Sequence, residues 1–297
     1  MRVSKYLRNW MSLAGILFRF AVCAAGNSLV FDYGELESAA TPLPYRFAEV
    51  GGVDGNKPSL VIYLHGGSST GVDNETQMLE AGIDSIADYL VAKRLRAFFV
   101  VPQCPAEKSW GAMTAVLKEL VEYFKQRRGV DENRIYLLGG SMGGTGTWSM
   151  LSAYPRLFAA AMPVAGNPSR CDVLNVSLTP VFTVMGTSDR IMNVETTSDF
   201  VDGLRKVGGE CMFDIVSGWN HEMTCIRSYS TSRLDWVFAH RLNAAGMGII
   251  DTDNMEIICE QSFSLDGTVS DDAELRGFHI IRTIYRDGTI RIRKSYR

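Results

Sequence analysis

The sequence predicts an α/β domain with a mostly parallel central sheet flanked by helices, and three observations support this fold class. Short runs rich in Val, Ile and Phe alternate with helical patterns between about residues 43 and 242, as in sheets whose parallel strands are joined by helices. A glycine-rich segment at 139–144 follows one apolar run and precedes a helical pattern. The chain has 297 residues, 46% hydrophobic and 21% charged, which suffices for one large domain of this kind.

Six short apolar runs are predicted to be strands: 60–64, 97–101, 134–138, 160–164, 181–185 and 212–216. Four segments with apolar residues at helical spacing are predicted to be helices: 113–127, 144–154, 194–207 and 230–242. Pro155 ends the second of these helices. A helix therefore follows most of the strands, which is the order that a parallel sheet requires.

The C-terminal segment differs in character from the rest of the chain. Its runs are strand-like, and the pair Asp287-Gly288 separates 280–286 from 289–294. An Asp-Gly pair between alternating runs is a strong hairpin signal. The predicted organisation is therefore a main domain at 26–245 and a small C-terminal β module at 246–297.

The N-terminus is typical of a signal peptide. Three basic residues precede an apolar run at 10–18, and small residues follow it at 23–25. The sequence therefore predicts a signal peptide at 1–25 and a secreted or periplasmic protein. Arg19 interrupts the apolar region, so an amphipathic N-terminal helix is an alternative, and acylation of Cys23 is a weaker one.

Charge and cysteine content exclude several classes of partner and cofactor. A net charge of −3 gives no reason to expect binding to nucleic acid or to anionic membranes. No later segment has the roughly 18 apolar residues of a membrane span, so no stable membrane insertion is expected. The sequence has no CxxC pair of the kind that indicates a zinc site. We therefore expect neither a metal nor another cofactor. Cys211 and Cys225 are a candidate disulfide, with buried free thiols as the alternative.

Residues 139–144, Gly-Gly-Ser-Met-Gly-Gly, contain a G-x-S-x-G pattern with Ser141 at its centre. The apolar run before it and the helical pattern after it are the context of a nucleophile elbow. There the serine occupies a strained turn, and side chains at Gly139 or Gly143 would collide with the neighbouring strand and helix. The alternative is a phosphate-binding turn at a helix N-terminus, but it lacks the lysine of a P-loop.

A serine hydroxyl needs a nearby base, which is usually histidine. Of the four histidines, His65 lies in a glycine loop, His240 late in a helical pattern, and His279 in the C-terminal module. His221 follows the last predicted strand of the main domain, in a loop at the sheet edge where Ser141 also lies. We therefore predict that His221 is the base.

The third member of such a site is a carboxylate that orients the histidine. Asp189 directly follows the predicted strand 181–185, and its position between Ser141 and His221 fits the usual order of nucleophile, acid and base. The rival carboxylates in this interval are Asp172, Glu195, Asp199 and Asp202.

The negative charge that develops on a carbonyl oxygen during attack needs preorganised N–H donors. Met142 at the start of the helix is predicted to supply one. The loop 64–68, Leu-His-Gly-Gly-Ser, fits an oxyanion loop, and Gly67 is the preferred second donor, with Ser68 next.

Several stretches of the chain from about residue 60 to 242 resemble one family. They are YLHGGSSTGVDN, VVPQCPAEKSW, VDENRIYLLGGSMGGTGTWSM, YPRLFAAAMPVAG, VMGTSDRIMNV and GWNHEM. In this order they resemble the polysaccharide-esterase and predicted-peptidase branch of the α/β hydrolases, which includes feruloyl esterases, acetylxylan esterases and polyhydroxybutyrate depolymerase-like proteins. The resemblance implies an α/β-hydrolase fold with Ser141, Asp189 and His221 as its catalytic triad.

The C-terminal module carries a second, shorter resemblance. The segments LDG at 265–267, GFHII at 277–281 and DGTIRIRK at 287–294 resemble C-terminal sorting domains of secreted Bacteroidetes proteins. The alternative is an ordinary accessory hairpin with solvated arginines.

The predicted substrate is an ester in an open site. Only about fifteen residues separate the predicted strands 160–164 and 181–185, which leaves no room for a large lid. Trp110 and Trp219 lie near the site in sequence and are predicted to contact substrate, whereas core packing is expected of Trp148.

These observations predict a metal-independent serine hydrolase of carboxylic esters. Small-molecule or polymer-attached esters, such as acetyl or feruloyl groups on polysaccharides, are the expected substrates. A serine peptidase with the same three residues is one alternative, because both reactions pass through an acyl-enzyme. A binding protein without catalytic activity on the same scaffold is another.

Overall fold

The computed structural model describes residues 29–52, 57–242, 257–264, 269–270, 278–285 and 290–296. The predicted signal peptide lies outside these residues. The chain divides into two compact units, Met1–Asn243 and Ala244–Arg297.

Eight strands form the sheet of the first unit. They are β1 (Asp32–Leu36), β2 (Leu43–Val50), β3 (Ser59–Leu64), β4 (Ala97–Pro102), β5 (Ile135–Gly140), β6 (Ala160–Val164), β7 (Val181–Gly186) and β8 (Cys211–Val216). Their spatial order is β1-β2-β4-β3-β5-β6-β7-β8. The first two strands pair antiparallel, β2 also pairs antiparallel with β4, and all later pairs are parallel. Because parallel strands end at the same edge, the loops after β3, β5, β7 and β8 share one side of the sheet.

Seven α-helices accompany this sheet in the part of the chain that the structure describes. They are α1 (Ala81–Ala92), α2 (Thr114–Arg128), α3 (Met142–Ala153), α4 (Val173–Val176), α5 (Val194–Lys206), α6 (His221–Arg227) and α7 (Thr231–Ala239). None of the helices among the described residues is both long enough and apolar enough to cross a bilayer.

The hydrophobic core lies on both faces of the sheet, because successive side chains of a strand point to opposite sides. In β3, Leu60 and Ile62 pack in a cluster with residues of α2, α3 and α5. Val61 and Tyr63 pack in a second cluster with residues of α1 and α7. All four side chains are almost completely buried, which explains why this strand has a continuous apolar sequence.

The predicted architecture, a mostly parallel sheet with flanking helices, is confirmed. The six predicted strands begin and end within two residues of the observed ones. Residues 165–180, between β6 and β7, contain only the four-residue helix α4, so no large lid is inserted there. The prediction for 230–242 is too long, since α7 ends at Ala239, and β1, β2, α1, α4 and α6 were not predicted.

The second unit contains a four-stranded sheet of β9 (Ile257–Ser264), β10 (Val269–Ser270), β11 (Phe278–Tyr285) and β12 (Ile290–Tyr296). The spatial order is β10-β9-β11-β12. Strands β11 and β12 pair antiparallel, with Ile284 opposite Ile290. The predicted Asp287-Gly288 turn lies outside the described residues, and a role for this unit in secretion stays a prediction.

Candidate active site

Ser141 lies in the sharp turn between β5 and α3. Its backbone angles are φ 57° and ψ −118°. Residues other than glycine rarely adopt this conformation, which costs on the order of 1–3 kcal/mol. Its N–H donates to the carbonyl of Val164 in the neighbouring strand β6. The turn places the Ser141 hydroxyl after the end of β5, within hydrogen-bond distance of His221.

The glycines around Ser141 allow backbone segments to approach closely. A Cβ atom on Gly143 would lie 1.8 Å from the carbonyl oxygen of Leu64, and one on Gly144 would lie 2.3 Å from that of Val164. A Cβ on Gly139 would lie 2.6 Å from the backbone of Gly143. Since these obstacles are backbone atoms, no rotamer change relieves the collisions. The first turn of α3 can therefore pack directly on the ends of β3 and β6.

Two hydrogen bonds join Ser141, His221 and Asp189. His221 Nε2 lies 2.7 Å from Ser141 Oγ, and His221 Nδ1 lies 2.8 Å from Asp189 Oδ2. A carboxylate accepts and cannot donate, so Nδ1–H is the donor to Asp189, and Nε2 faces the serine hydroxyl. The Asp189 side chain is fully buried and that of His221 is 15% exposed.

Backbone N–H groups fix the other oxygen of Asp189. Its Oδ1 accepts hydrogen bonds from Ile191 and Met192 at 2.8 and 2.9 Å, which leaves Oδ2 directed at the imidazole. His221 itself is the first residue of α6, after the N-cap Asn220. The prediction that His221 lies in a loop is therefore wrong, although its position after β8 agrees with the sequence.

The rival carboxylates lie elsewhere. Asp172 accepts hydrogen bonds from the first N–H groups of α4. The remaining three are exposed residues of α5: Glu195, Asp199 and Asp202. The structure therefore brings only Asp189 of this set to His221.

His65 holds the loop that follows β3, residues 65–71, which we call the oxyanion loop after its predicted role. Its ring is completely buried; Nε2 accepts a hydrogen bond from the Cys104 N–H, and Nδ1 lies 2.7 Å from the Gly66 carbonyl. The proton therefore resides on Nδ1. Burial lowers the pKa of His65 below its ordinary value of 6.5, which favours this neutral form.

The N–H groups that were predicted to bind an oxyanion are free of other partners. Among the described residues, the N–H groups of Met142, Gly67 and Ser68 have no hydrogen-bond acceptor. The Gly66 N–H, in contrast, donates to the side chain of Glu80 at 2.9 Å. Gly66 is thus excluded as an oxyanion donor, and Gly67 and Ser68 are the two candidates for the second donor.

The two predicted substrate-binding tryptophans have different environments. Trp110 is fully buried, its Nε1–H donates to the His65 carbonyl at 3.0 Å, and its ring packs edge to face on the His65 ring. Because Trp110 has no exposed surface, the prediction that it contacts substrate is wrong. Its side chain instead supports the oxyanion loop through these two contacts with His65. Trp219 is partly exposed, two residues before His221, and its contact with substrate stays a prediction. Trp148 is fully buried, as expected.

Both members of the candidate disulfide, Cys211 and Cys225, are free thiols, as are Cys104 and Cys171, so the predicted bond between Cys211 and Cys225 is absent. Cys211 begins β8, whereas Cys225 lies in α6 with its Sγ 4.0 Å from His221 Nε2. Burial raises the pKa of Cys225 to about 12. This thiol therefore stays protonated beside the imidazole at neutral pH.

Comparisons with known proteins give matches both in sequence and in fold. The Prolyl oligopeptidase family matches residues 117–169, which include Ser141 and its elbow. A thermostable esterase of known crystal structure has 28% sequence identity, covers 71% of this chain and 63% of its own, and superposes with a TM-score of 0.63. The chain belongs to the α/β-hydrolase superfamily.

Two curated relatives of this α/β hydrolase align over shorter segments. Poly(3-hydroxyalkanoate) depolymerase C of Paucimonas lemoignei is 31% identical over 140 residues, which are 45% of this chain and 33% of the depolymerase. A bifunctional acetylxylan esterase/xylanase of Neocallimastix patriciarum is 29% identical over 96 residues, 31% of this chain and 14% of that enzyme. The chain thus spans a third or less of these relatives.

Sequence reasoning missed Glu80. Its carboxylate contacts the oxyanion loop at Gly66 and Ser69, but no motif surrounds it, and eleven or more residues separate it from these partners. Only the three-dimensional structure brings them together.

Proposed function

We propose that this α/β hydrolase is a serine hydrolase that cleaves carboxylic esters through an acyl-enzyme at Ser141. The observation that carries the proposal is the continuous hydrogen-bonded series from Ser141 Oγ through His221 to the buried Asp189 carboxylate. In this series His221 Nε2 is placed to take the serine proton, and Asp189 is placed to orient the imidazole.

The proposed reaction has two stages. Ser141 Oγ attacks the carbonyl carbon while its proton moves to His221 Nε2, and Asp189 stabilises the resulting imidazolium. The oxyanion is held by the N–H groups of Met142 and of Gly67 or Ser68. When this tetrahedral intermediate collapses, the bond to the alcohol oxygen breaks, and the leaving alcohol takes the proton from His221 Nε2. Water then attacks the acyl-enzyme with His221 as base, and the acid is released.

For the substrate, we propose acyl groups on polymers, such as acetyl or feruloyl esters of polysaccharides. The names of the two curated relatives support this class, since one is a polyester depolymerase and the other an acetylxylan esterase. The short connection at 165–180 also supports it, because an open site admits a bulky alcohol component. A peptidase is the second candidate, and the match to the Prolyl oligopeptidase family favours it.

A panel of four substrates separates these candidates: p-nitrophenyl acetate, methyl ferulate, acetylated xylan and a peptide p-nitroanilide. Wild type is compared with Ser141→Ala and with Ser149→Ala, a matched control on α3 whose hydroxyl donates to the Thr145 carbonyl. We expect Ser141→Ala to lower ester turnover by at least about 10⁴-fold and Ser149→Ala to retain it.

The ratio of ester to anilide turnover decides the reaction class. Faster wild-type cleavage of the anilide than of the esters would favour the peptidase. Equal turnover by wild type and Ser141→Ala on every substrate would contradict the proposed function and leave a binding protein as the better explanation.

A further inference from the structure

The oxyanion loop presents its free N–H groups from one tight turn. Residues Gly67–Ser69 form a single 3-10 turn, which is closed by a hydrogen bond from the Ser69 N–H to the Gly66 carbonyl at 3.3 Å. The N–H groups of Gly67 and Ser68 lie inside this turn. Donors can be preorganised for an oxyanion only if other groups hold the turn in place.

One oxygen of Glu80 holds both ends of this turn. Glu80 Oε1 accepts a hydrogen bond from the Gly66 N–H at 2.9 Å and another from the Ser69 hydroxyl at 2.9 Å. Ser69 is almost completely buried, so its hydroxyl depends on this partner. The two anchors bracket the donors Gly67 and Ser68, and their separation fixes where those N–H groups point.

The Glu80 side chain serves the loop and not the helix that it precedes. Glu80 is the N-cap residue of α1, and its carbonyl accepts from the Ile83 N–H. Side chains at this position commonly accept hydrogen bonds from the first turn of their own helix, but Glu80 makes no such bond. Its carboxylate is directed at the loop instead.

This anchor lies close to the nucleophile. A Cβ atom built on Gly66 would be 3.2 Å from Glu80 Oε1 and 3.6 Å from Ser141 Cβ. The Gly66 backbone therefore separates the carboxylate from Ser141. A negative charge at this position would repel the charge of an oxyanion. The benefit to the reaction therefore comes from the two hydrogen bonds that Oε1 accepts, and not from the charge of the carboxylate.

We propose that Glu80 is a positioning residue that sets the geometry of the oxyanion donors by bridging Gly66 and Ser69; this inference rests on the proposed function. If this is correct, a neutral side chain of equal length at position 80 should preserve activity, whereas a shorter carboxylate should not.

The test measures kcat and KM for p-nitrophenyl acetate in wild type, Glu80→Gln, Glu80→Asp and Glu80→Ala. Glu75→Ala is the matched control, because this residue of the same segment is exposed and its side chain accepts a hydrogen bond from the Tyr33 hydroxyl at 3.3 Å, away from the oxyanion loop. We expect Glu80→Gln to stay within about threefold of wild type, and the Asp and Ala variants to lose about 10- to 100-fold in kcat with little change in KM. Glu75→Ala should behave like wild type.

Ser69→Ala removes only one anchor and provides a milder variant should Glu80→Ala fail to fold; its kcat should fall roughly 2- to 10-fold. The inference is overturned if the Asp and Ser69 variants keep wild-type kcat, or if Glu80→Gln falls as far as Glu80→Asp. Wild-type protein without Ser141-dependent turnover would overturn the proposed function, and this inference with it.

Discussion

The two halves of the site, the elbow around Ser141 and the oxyanion loop, are built in different ways. The elbow is determined by its own sequence: Gly139, Gly143 and Gly144 are the residues whose missing side chains make room for neighbouring backbone. The oxyanion loop is held by groups that are distant in sequence, namely two side chains and one backbone N–H. Glu80, Cys104 and Trp110 bond to it from other segments of the chain.

Because of this difference, the two halves should respond differently to substitution. In the elbow, an added methyl group meets fixed carbonyl oxygens, so the cost is steric and affects folding. In the loop, Gly67 has open space around it, and the sensitive groups are the hydrogen-bonding partners. Changes there are expected to affect activity or pH dependence more than folding.

The largest expected effect is on folding, and it comes from Gly143→Ala. The new Cβ would lie 1.8 Å from the Leu64 carbonyl oxygen, and relief requires separating α3 from β3. We expect a loss of at least about 4 kcal/mol in the free energy of unfolding, which is exceptional for a single methyl group. Urea unfolding followed by circular dichroism measures it.

Gly67→Ala is the matched control, since it adds the same methyl group where no atom lies within 4 Å. Its free energy of unfolding should stay within about 0.5 kcal/mol of wild type. A Gly143→Ala protein as stable as the control would show that the elbow does not depend on close backbone contact.

A smaller effect, on the pH dependence of stability, is expected from His65→Gln. Burial lowers the pKa of His65 in the folded protein below its ordinary 6.5, so the unfolded chain binds a proton more readily. The stabilising contribution is present above pH 6.5 and is lost as pH falls below it. Glutamine does not titrate, so the variant should lose less stability than wild type between pH 7.5 and 5.5.

Urea unfolding at pH 7.5, 6.5 and 5.5 tests this expectation, with the difference between the two proteins isolating His65 from the other histidines. Glutamine can still accept from the Cys104 N–H, which limits the loss at neutral pH. Parallel curves for the two proteins would contradict the assignment of a neutral, buried His65.

The sequence predicted those parts of the molecule that depend on local patterns. Strands such as β5 and β7 are buried on both faces and therefore have continuous apolar runs with clear ends. Strand β1 is half exposed and α6 has only seven residues, so neither has a comparable pattern. The elbow could be predicted because its glycines and the serine are contiguous.

The remaining features of the site depend on contacts between distant segments. Glu80 and Trp110 both support the oxyanion loop, across separations of 14 and 45 residues along the chain. A tryptophan near a site in sequence can equally line the pocket or lie beneath it, and burial alone distinguishes the two. This is why Trp110 was assigned the wrong role and Glu80 none.

The most direct test of the central claim is covalent labelling of Ser141 by a fluorophosphonate, followed by intact-mass measurement and peptide mapping. An activated serine beside free oxyanion donors should react once per chain in wild type and in Ser149→Ala, and not at all in Ser141→Ala. Wild-type protein that stays unlabelled, or a Ser141→Ala protein that is labelled equally, would contradict the assignment of Ser141 as the nucleophile.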